Sequence, residues 1–113
     1  MEFKETFIKG AYVIKPKVFG DSRGYFSETF KKAEFDKTIG TVDFIQDNES
    51  QSSFGVLRGL HFQKGDFSQA KLVRVIKGAV LDVIVDIRAG SPTFGKHFSI
   101  ELNEENKLQL FVP

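Results

Sequence analysis

At 113 residues the chain has room for one domain, read as spanning 1–113, and not for two. Sixteen Lys and Arg against fifteen Asp and Glu leave a net charge of +1, which argues against nucleic acid or an anionic membrane as partner, and the absence of cysteine excludes disulfides, thiolate chemistry and Cys-ligated metals. No apolar run reaches the length of a membrane span, and Met1-Glu2-Phe3-Lys4-Glu5-Thr6 lacks the apolar core of a secretory signal, so a cytoplasmic location is expected.

The chain reads as short strands broken by turns. Residues 12–19 alternate and carry Pro16, which suits an edge strand or a bulge. Gly20-Asp21-Ser22-Arg23-Gly24 is a strong turn signal, followed by a strand over 25–30. Residues 31–39 are the one helical stretch, with Phe35 and Ile39 four apart and Gly40 as the stop. Strands are expected at 42–50 and at 56–63, the second interrupted by Gly59, with a loop over 64–69. Two strands, 71–76 and 80–88, flank Lys77-Gly78-Ala79. In the second, Leu81, Val83, Val85 and Ile87 share one face. After a loop at 89–95, strands 96–102 and 107–112 form a final pair joined through Asn103-Glu104-Glu105-Asn106. Short strands separated by turns about every 8 to 12 residues indicate an all-β sandwich or barrel. The 13 Phe against no Trp are first of all core packing.

His61, one of two histidines, lies in Gly55-Val56-Leu57-Arg58-Gly59-Leu60-His61-Phe62-Gln63. An imidazole is the natural general base near neutral pH. It is equally a residue that a backbone hydrogen bond can satisfy in a purely structural role. Its company favours chemistry: Arg58 and Lys71 are near in sequence, and Gln46, Asn48 and Ser50 share one strand face. Two histidines one residue apart on a strand, with a carboxylate and a later histidine, would make a plausible metal-ligand set. Here Phe62 and Gln63 follow His61, and His97 is remote and reads as a surface strand residue, so no metal is expected. Arg23, Arg58 and Lys71 suit phosphate, Arg as a planar fork and Lys as a point charge. Gln46 and Asn48 suit sugar hydroxyls or a base edge. Asp82 and Asp86 alternate against the apolar face of their strand, where the barrel interior and solvent are both open to them.

Three segments together resemble the dTDP-4-dehydrorhamnose 3,5-epimerase family. They are Phe19-Gly20-Asp21-Ser22-Arg23-Gly24-Tyr25-Phe26-Ser27-Glu28-Thr29-Phe30, then Gln46-Asp47-Asn48-Glu49-Ser50-Gln51-Ser52, then Gly55 to Gln63 around His61, continuing through Lys71-Leu72-Val73-Arg74-Val75 and Gly78 to Asp86. The resemblance implies a cupin-like antiparallel jelly-roll barrel with one short helix. It implies epimerisation of a dTDP-linked 4-keto-6-deoxy sugar at C3 and C5, by proton abstraction next to the ketone, with no cofactor. His61 then matches the base, and Lys71 the lysine that stabilises the enolate oxygen. Arg58, Gln46 and Asn48 match substrate-binding residues. Arg23 and Glu28 match residues holding the nucleotide, with Phe19 and Phe26 beside the thymine. The resemblance also implies a homodimer.

Members of that family continue past Pro113, into a segment with a second histidine, a Tyr acid and an Asp that pairs with the base. Tyr12 and Tyr25, the only tyrosines, both fall in the N-terminal segments. The expectation is therefore a barrel incomplete at its C-terminal side that binds the nucleotide sugar weakly and turns it over slowly or not at all. Two other readings stay open: a non-catalytic nucleotide-sugar-binding cupin, and an epimerase acting at C3 or C5 only.

Overall fold

A computed structural model describes residues 1–64 and 69–113. In chain order its elements are β1 (Glu2–Glu5), β2 (Tyr12–Lys15), β3 (Val18–Asp21), β4 (Gly24–Ser27), α1 (Lys32–Thr38), β5 (Lys71–Arg74), β6 (Ala79–Val85), β7 (His97–Asn103) and β8 (Gln109–Val112). All strand pairs are antiparallel. They form a four-stranded sheet in the order β1-β2-β8-β5 and two hairpins, β3–β4 and β6–β7. No helix among the described residues is long and apolar enough to cross a membrane.

The core lies where α1 packs on the four-stranded sheet. Ile14 of β2, Phe111 of β8 and Phe35 of α1 are buried together, with Phe3, Tyr12, Ile39, Val42 and Leu72 around them. Aromatic edges build much of this contact. The Phe35 ring lies 5.2 Å from that of Phe3 and 4.7 Å from that of Phe30, and Phe44 stands edge-on to Phe30 at 5.5 Å. Such pairs add roughly 0.5–1.5 kcal/mol each beyond the area they bury. The helix ends as its sequence predicts. Gly40 takes φ 115°, and its N–H donates back to the Phe35 carbonyl at 3.2 Å.

Pro16 splits the strand expected over 12–19. It has no N–H to give a ladder, so the chain leaves the four-stranded sheet after Lys15 and starts a separate hairpin at Val18. Two expectations need correction. The strands read over 42–50 and 56–63 are absent: the described residues 41–64 contain no strand, and the side chains of 43–64 are all exposed. Alternation marks a face, but a strand exists only where a partner takes up its N–H and C=O groups. Gly55 (φ 84°) and Gly59 (φ 122°) also break the extended path. The final two strands do not pair with each other. β7 pairs with β6, while β8 lies between β2 and β5. The link between them is a corner. Asn103 Oδ1 accepts from the backbone N–H of Glu105 and Asn106, Asn106 Oδ1 accepts from those of Asn103 and Leu108, and Lys107 takes φ 54°. On β6, where interior and solvent were both open to the acidic side chains, Leu81 and Val83 lie on the more exposed face, Asp82 and Ile84 are half-buried and Asp86, just beyond the strand, is buried. The loop read over 64–69 falls largely outside the described residues.

Candidate functional site

The expected site residues fall in three places. The hairpin β3–β4 carries Phe19, Arg23 and Phe26, with Glu28 just beyond it. Its register sets Phe19 opposite Phe26, Gly20 opposite Tyr25 and Asp21 opposite Gly24. Side chains alternate along a strand and cross-strand partners share a face. Phe19, Phe26 and Asp21 therefore project from one face and Tyr25 from the other. Lys107 covers the Tyr25 ring, its Nζ 3.9 Å from the centroid. Phe19 and Phe26 stay open, 54% and 67% exposed, with Lys17 Nζ 5.3 Å from the Phe19 centroid. The bend is Ser22-Arg23, followed by Gly24 at φ 132°.

Asp21 organises that bend. Its Oδ1 accepts from the Arg23 backbone N–H at 2.8 Å and from Arg23 Nε at 3.3 Å, and its Oδ2 accepts from Arg23 Nη2 at 2.7 Å. The Arg23 guanidinium holds the Asp21 carboxyl below its usual range, and the carboxylate raises the arginine in return.

The second place is the irregular segment over 41–64. Gln46 Nε2 donates to Asn48 Oδ1 at 3.4 Å, so these two do act on one side of the chain. Arg58 folds back on its own loop: Nε donates to Ser52 Oγ at 2.9 Å and Nη2 to the Gln51 carbonyl at 3.2 Å. That closes the turn in which the Val56 N–H donates to the Ser53 carbonyl at 3.3 Å. His61 is exposed. A Cβ at Gly59 would lie 3.7 Å from His61 Nδ1.

The third place is Lys71, exposed at the start of β5 and opposite Val112. Its ammonium acts on Asp82 of β6. Burial pushes the Asp82 carboxyl up, while a backbone N–H from Val83 and the charge of Lys71 pull it down. His97 is an exposed residue of β7 opposite Val85.

The hairpin residues thus come together, as do Gln46 with Asn48. Among the described residues no hydrogen bond or ion pair joins His61 to Arg58, Lys71, Gln46 or Asn48. Nor do three His, Asp or Glu side chains gather as a metal would require. Two acidic residues that the sequence reading left unassigned enter the picture. Asp21 had a legible signal, an Asp two residues before an Arg at a turn. Asp82 did not, because its neighbour Lys71 comes from a different strand.

A family profile described as dTDP-4-dehydrorhamnose 3,5-epimerase matches residues 5–113. The chain is similar to the dTDP-4-dehydrorhamnose 3,5-epimerase of Shigella flexneri, 50% identical over 114 residues that take in 100% of this chain and 63% of that protein. Among solved structures it is similar to dTDP-4-dehydrorhamnose 3,5-epimerase from Elizabethkingia anophelis, with TM-score 0.94 and 52% identity, covering 100% of this chain and 62% of that one. It is also similar to dTDP-6-deoxy-D-glucose-3,5-epimerase from Legionella pneumophila in complex with dTDP-4-keto-L-rhamnose, with TM-score 0.93 and 47% identity, covering 99% and 60%. These structures have the cupin-like fold. The chain spans less than two thirds of the length of these relatives.

Proposed function

The chain belongs to the dTDP-4-dehydrorhamnose 3,5-epimerase family, and from that premise we propose that it serves the epimerisation of a dTDP-linked 4-keto-6-deoxy hexose at C3 and C5. The observation that carries the reading is the run of the match over 5–113, which takes in every candidate residue from Phe19 to Lys71. Residues 1–113 are read as belonging to one domain.

The chemistry asked of the residues is modest. A ketone at C4 acidifies the protons on its neighbours, and His61 is the base that removes them. Lys71 supplies a positive charge for the enolate oxygen. The open Phe19/Phe26 pair suits a flat pyrimidine, and Arg23 at the same end suits the diphosphate, with Glu28 beside the nucleotide. Gln46, Asn48 and Arg58 are left for the sugar and its phosphate. For Arg58 to bind ligand, its bonds to Ser52 and Gln51 must be exchanged for bonds to substrate.

The test is proton exchange. With the 4-keto sugar in deuterated water, deuterium should enter C3 and C5. His61→Ala should slow that entry by about 10²–10⁴-fold, the usual worth of a positioned base. Exchange unchanged in His61→Ala would remove the histidine from the mechanism, and exchange at one carbon alone would reassign the protein as a single-centre epimerase.

A homodimer in the cytoplasm is part of the same proposal. Ile45, Leu57, Leu60 and Leu81 are among the apolar side chains left open, and a second copy would cover such surface. Sedimentation equilibrium should return a dimer mass; a monomer at every concentration would contradict it.

A further inference from the structure

We infer that Asp21 is a positioning residue for the anion site, acting by locking the guanidinium of Arg23 on the Phe19/Phe26 face of the hairpin. The inference rests on the reading above, in which Arg23 meets the diphosphate.

Three contacts support it. Arg23 donates to Asp21 through its backbone N–H at 2.8 Å, its Nε at 3.3 Å and its Nη2 at 2.7 Å. The fork uses one N–H on Nε and one on Nη2. Both N–H groups of Nη1 and the second on Nη2 are left for an incoming acceptor. Asp21 projects from the same face as Phe19 and Phe26, because 19 and 21 are two apart and 26 lies opposite 19. The carboxylate therefore holds the cation at the end of an open aromatic pair, with Lys17 above Phe19 as a second cation on that side. An apolar plate ending in a held cation fits a nucleoside diphosphate, base on the rings and phosphates on the guanidinium.

Charge and order make opposite claims. Asp21 is an anion beside an anion site, so simple electrostatics has its removal tighten binding. An arginine free in solvent must lose its rotamer freedom when it binds, and the Asp21 fork has already removed that freedom. Both side chains are well exposed, so water and salt screen the charge effect. The fork acts at contact through two directed hydrogen bonds, so the ordering effect should decide the sign.

Asp21→Asn separates the two. The asparagine Oδ1 still accepts the Arg23 backbone N–H and keeps the turn, but Nδ2 cannot accept from Nη2, so the fork is lost. With dTDP as the probe in isothermal titration, Asp21→Asn should weaken binding by about 3- to 10-fold, the range for ordering one flexible side chain. The deficit should shrink as salt rises, because the fork is itself an exposed ion pair. In an Arg23→Lys background, where no fork exists, the same change should not weaken binding. Circular dichroism of each variant confirms that the hairpin is retained. Equal or tighter binding by Asp21→Asn, with the parent binding dTDP, overturns the positioning role alone. So does an equal deficit in the Arg23→Lys background. A parent chain that does not bind dTDP overturns the nucleotide reading and this inference with it.

Discussion

Asp21-Ser22-Arg23 and Asp86-Ile87-Arg88 are the same three-residue device in two surroundings. In each, the aspartate Oδ1 accepts the arginine backbone N–H and Nε, and Oδ2 accepts Nη2. The difference is burial. The Asp21 side chain is 52% exposed and its arginine 88%, while the Asp86 side chain is 0% exposed and its arginine 46%. Asp86 Oδ2 also accepts from Ser91 Oγ at 2.6 Å and from Thr93 Oγ1 at 2.5 Å. Its backbone closes the same loop, its N–H donating to the Lys96 carbonyl at 2.9 Å and its carbonyl accepting from Gly95 at 2.7 Å. A carboxylate out of water has to be met by donors on every side. An exposed one can leave the rest to solvent. The buried copy is therefore a hub that holds the β6–β7 connection, and the exposed copy has an arginine with donors to spare.

The largest effect should come from breaking the buried hub. In Asp86→Asn with Nδ2 in place of Oδ2, the amide faces Arg88 Nη2 donor to donor, and Ser91 Oγ and Thr93 Oγ1 must turn round to accept from it. Two donors then face each other without water. The melting temperature should fall on the order of 5–10 °C, followed by circular dichroism. A change of a degree or less would mean that the hub is not holding the loop.

Acid should act on the same hub in the unmodified chain. Arg88 first, then Ser91 and Thr93, hold the Asp86 carboxyl well below the usual carboxylate range. An aspartate whose folded value is depressed contributes stability that is present above its unfolded value, near ~3.9. That contribution is lost as pH falls through the folded value. Thermal stability should therefore decline progressively from about pH 4 downward. The Asp86→Asn chain, already weaker, should show a shallower decline. Parallel acid limbs in the two proteins would assign the loss to other carboxylates.

Arg88→Lys should cost less. A lysine cannot make the fork, so the Nε and Nη2 bonds go. Ser91, Thr93 and the backbone N–H at 88 remain on the carboxylate. A charged hydrogen bond is worth about 1.5–3 kcal/mol when dry, and half-exposure brings the expected loss to about 1 kcal/mol. Urea melts with an unchanged m-value would measure it.

The two devices were legible to different degrees. The turn at Gly20–Gly24 and the helix from Phe35, Ile39 and Gly40 are local signals, and both formed where the residues predict. Asp82 and Asp86 were indistinguishable by alternation, since both lie on the same side of the strand. What separates them lies off the strand: Arg88, Ser91 and Thr93 in the loop that follows for one, Lys71 of another strand for the other. The placement of β8 between β2 and β5 was out of reach, because a period of two names the face of a strand and not its neighbour. The polar alternation over 43–50 gave a face with no partner to pair it. For the site, residue types pointed to an anion and a base, and the hairpin shows how Phe19, Phe26 and Arg23 share an end. The surroundings of His61 depend on contacts its own segment does not make.

The smallest effect should be the stability of Asp21→Asn, and its smallness sharpens the comparison. The pair is exposed on both sides, so its Coulomb energy is spread through water and the two side chains lose entropy to meet. The asparagine keeps the bond to the Arg23 backbone N–H, which is the part that shapes the turn. The melting temperature should stay within about a degree of the parent at neutral pH, and raising the salt should shrink the difference further. Since the same variant should bind dTDP more weakly, a flat melting curve beside a weakened titration assigns this Asp-x-Arg unit to ligand positioning and the buried one to the fold. A large melting shift in Asp21→Asn would instead make the exposed unit a structural clamp like its buried counterpart, and the weakened binding would then report a damaged hairpin.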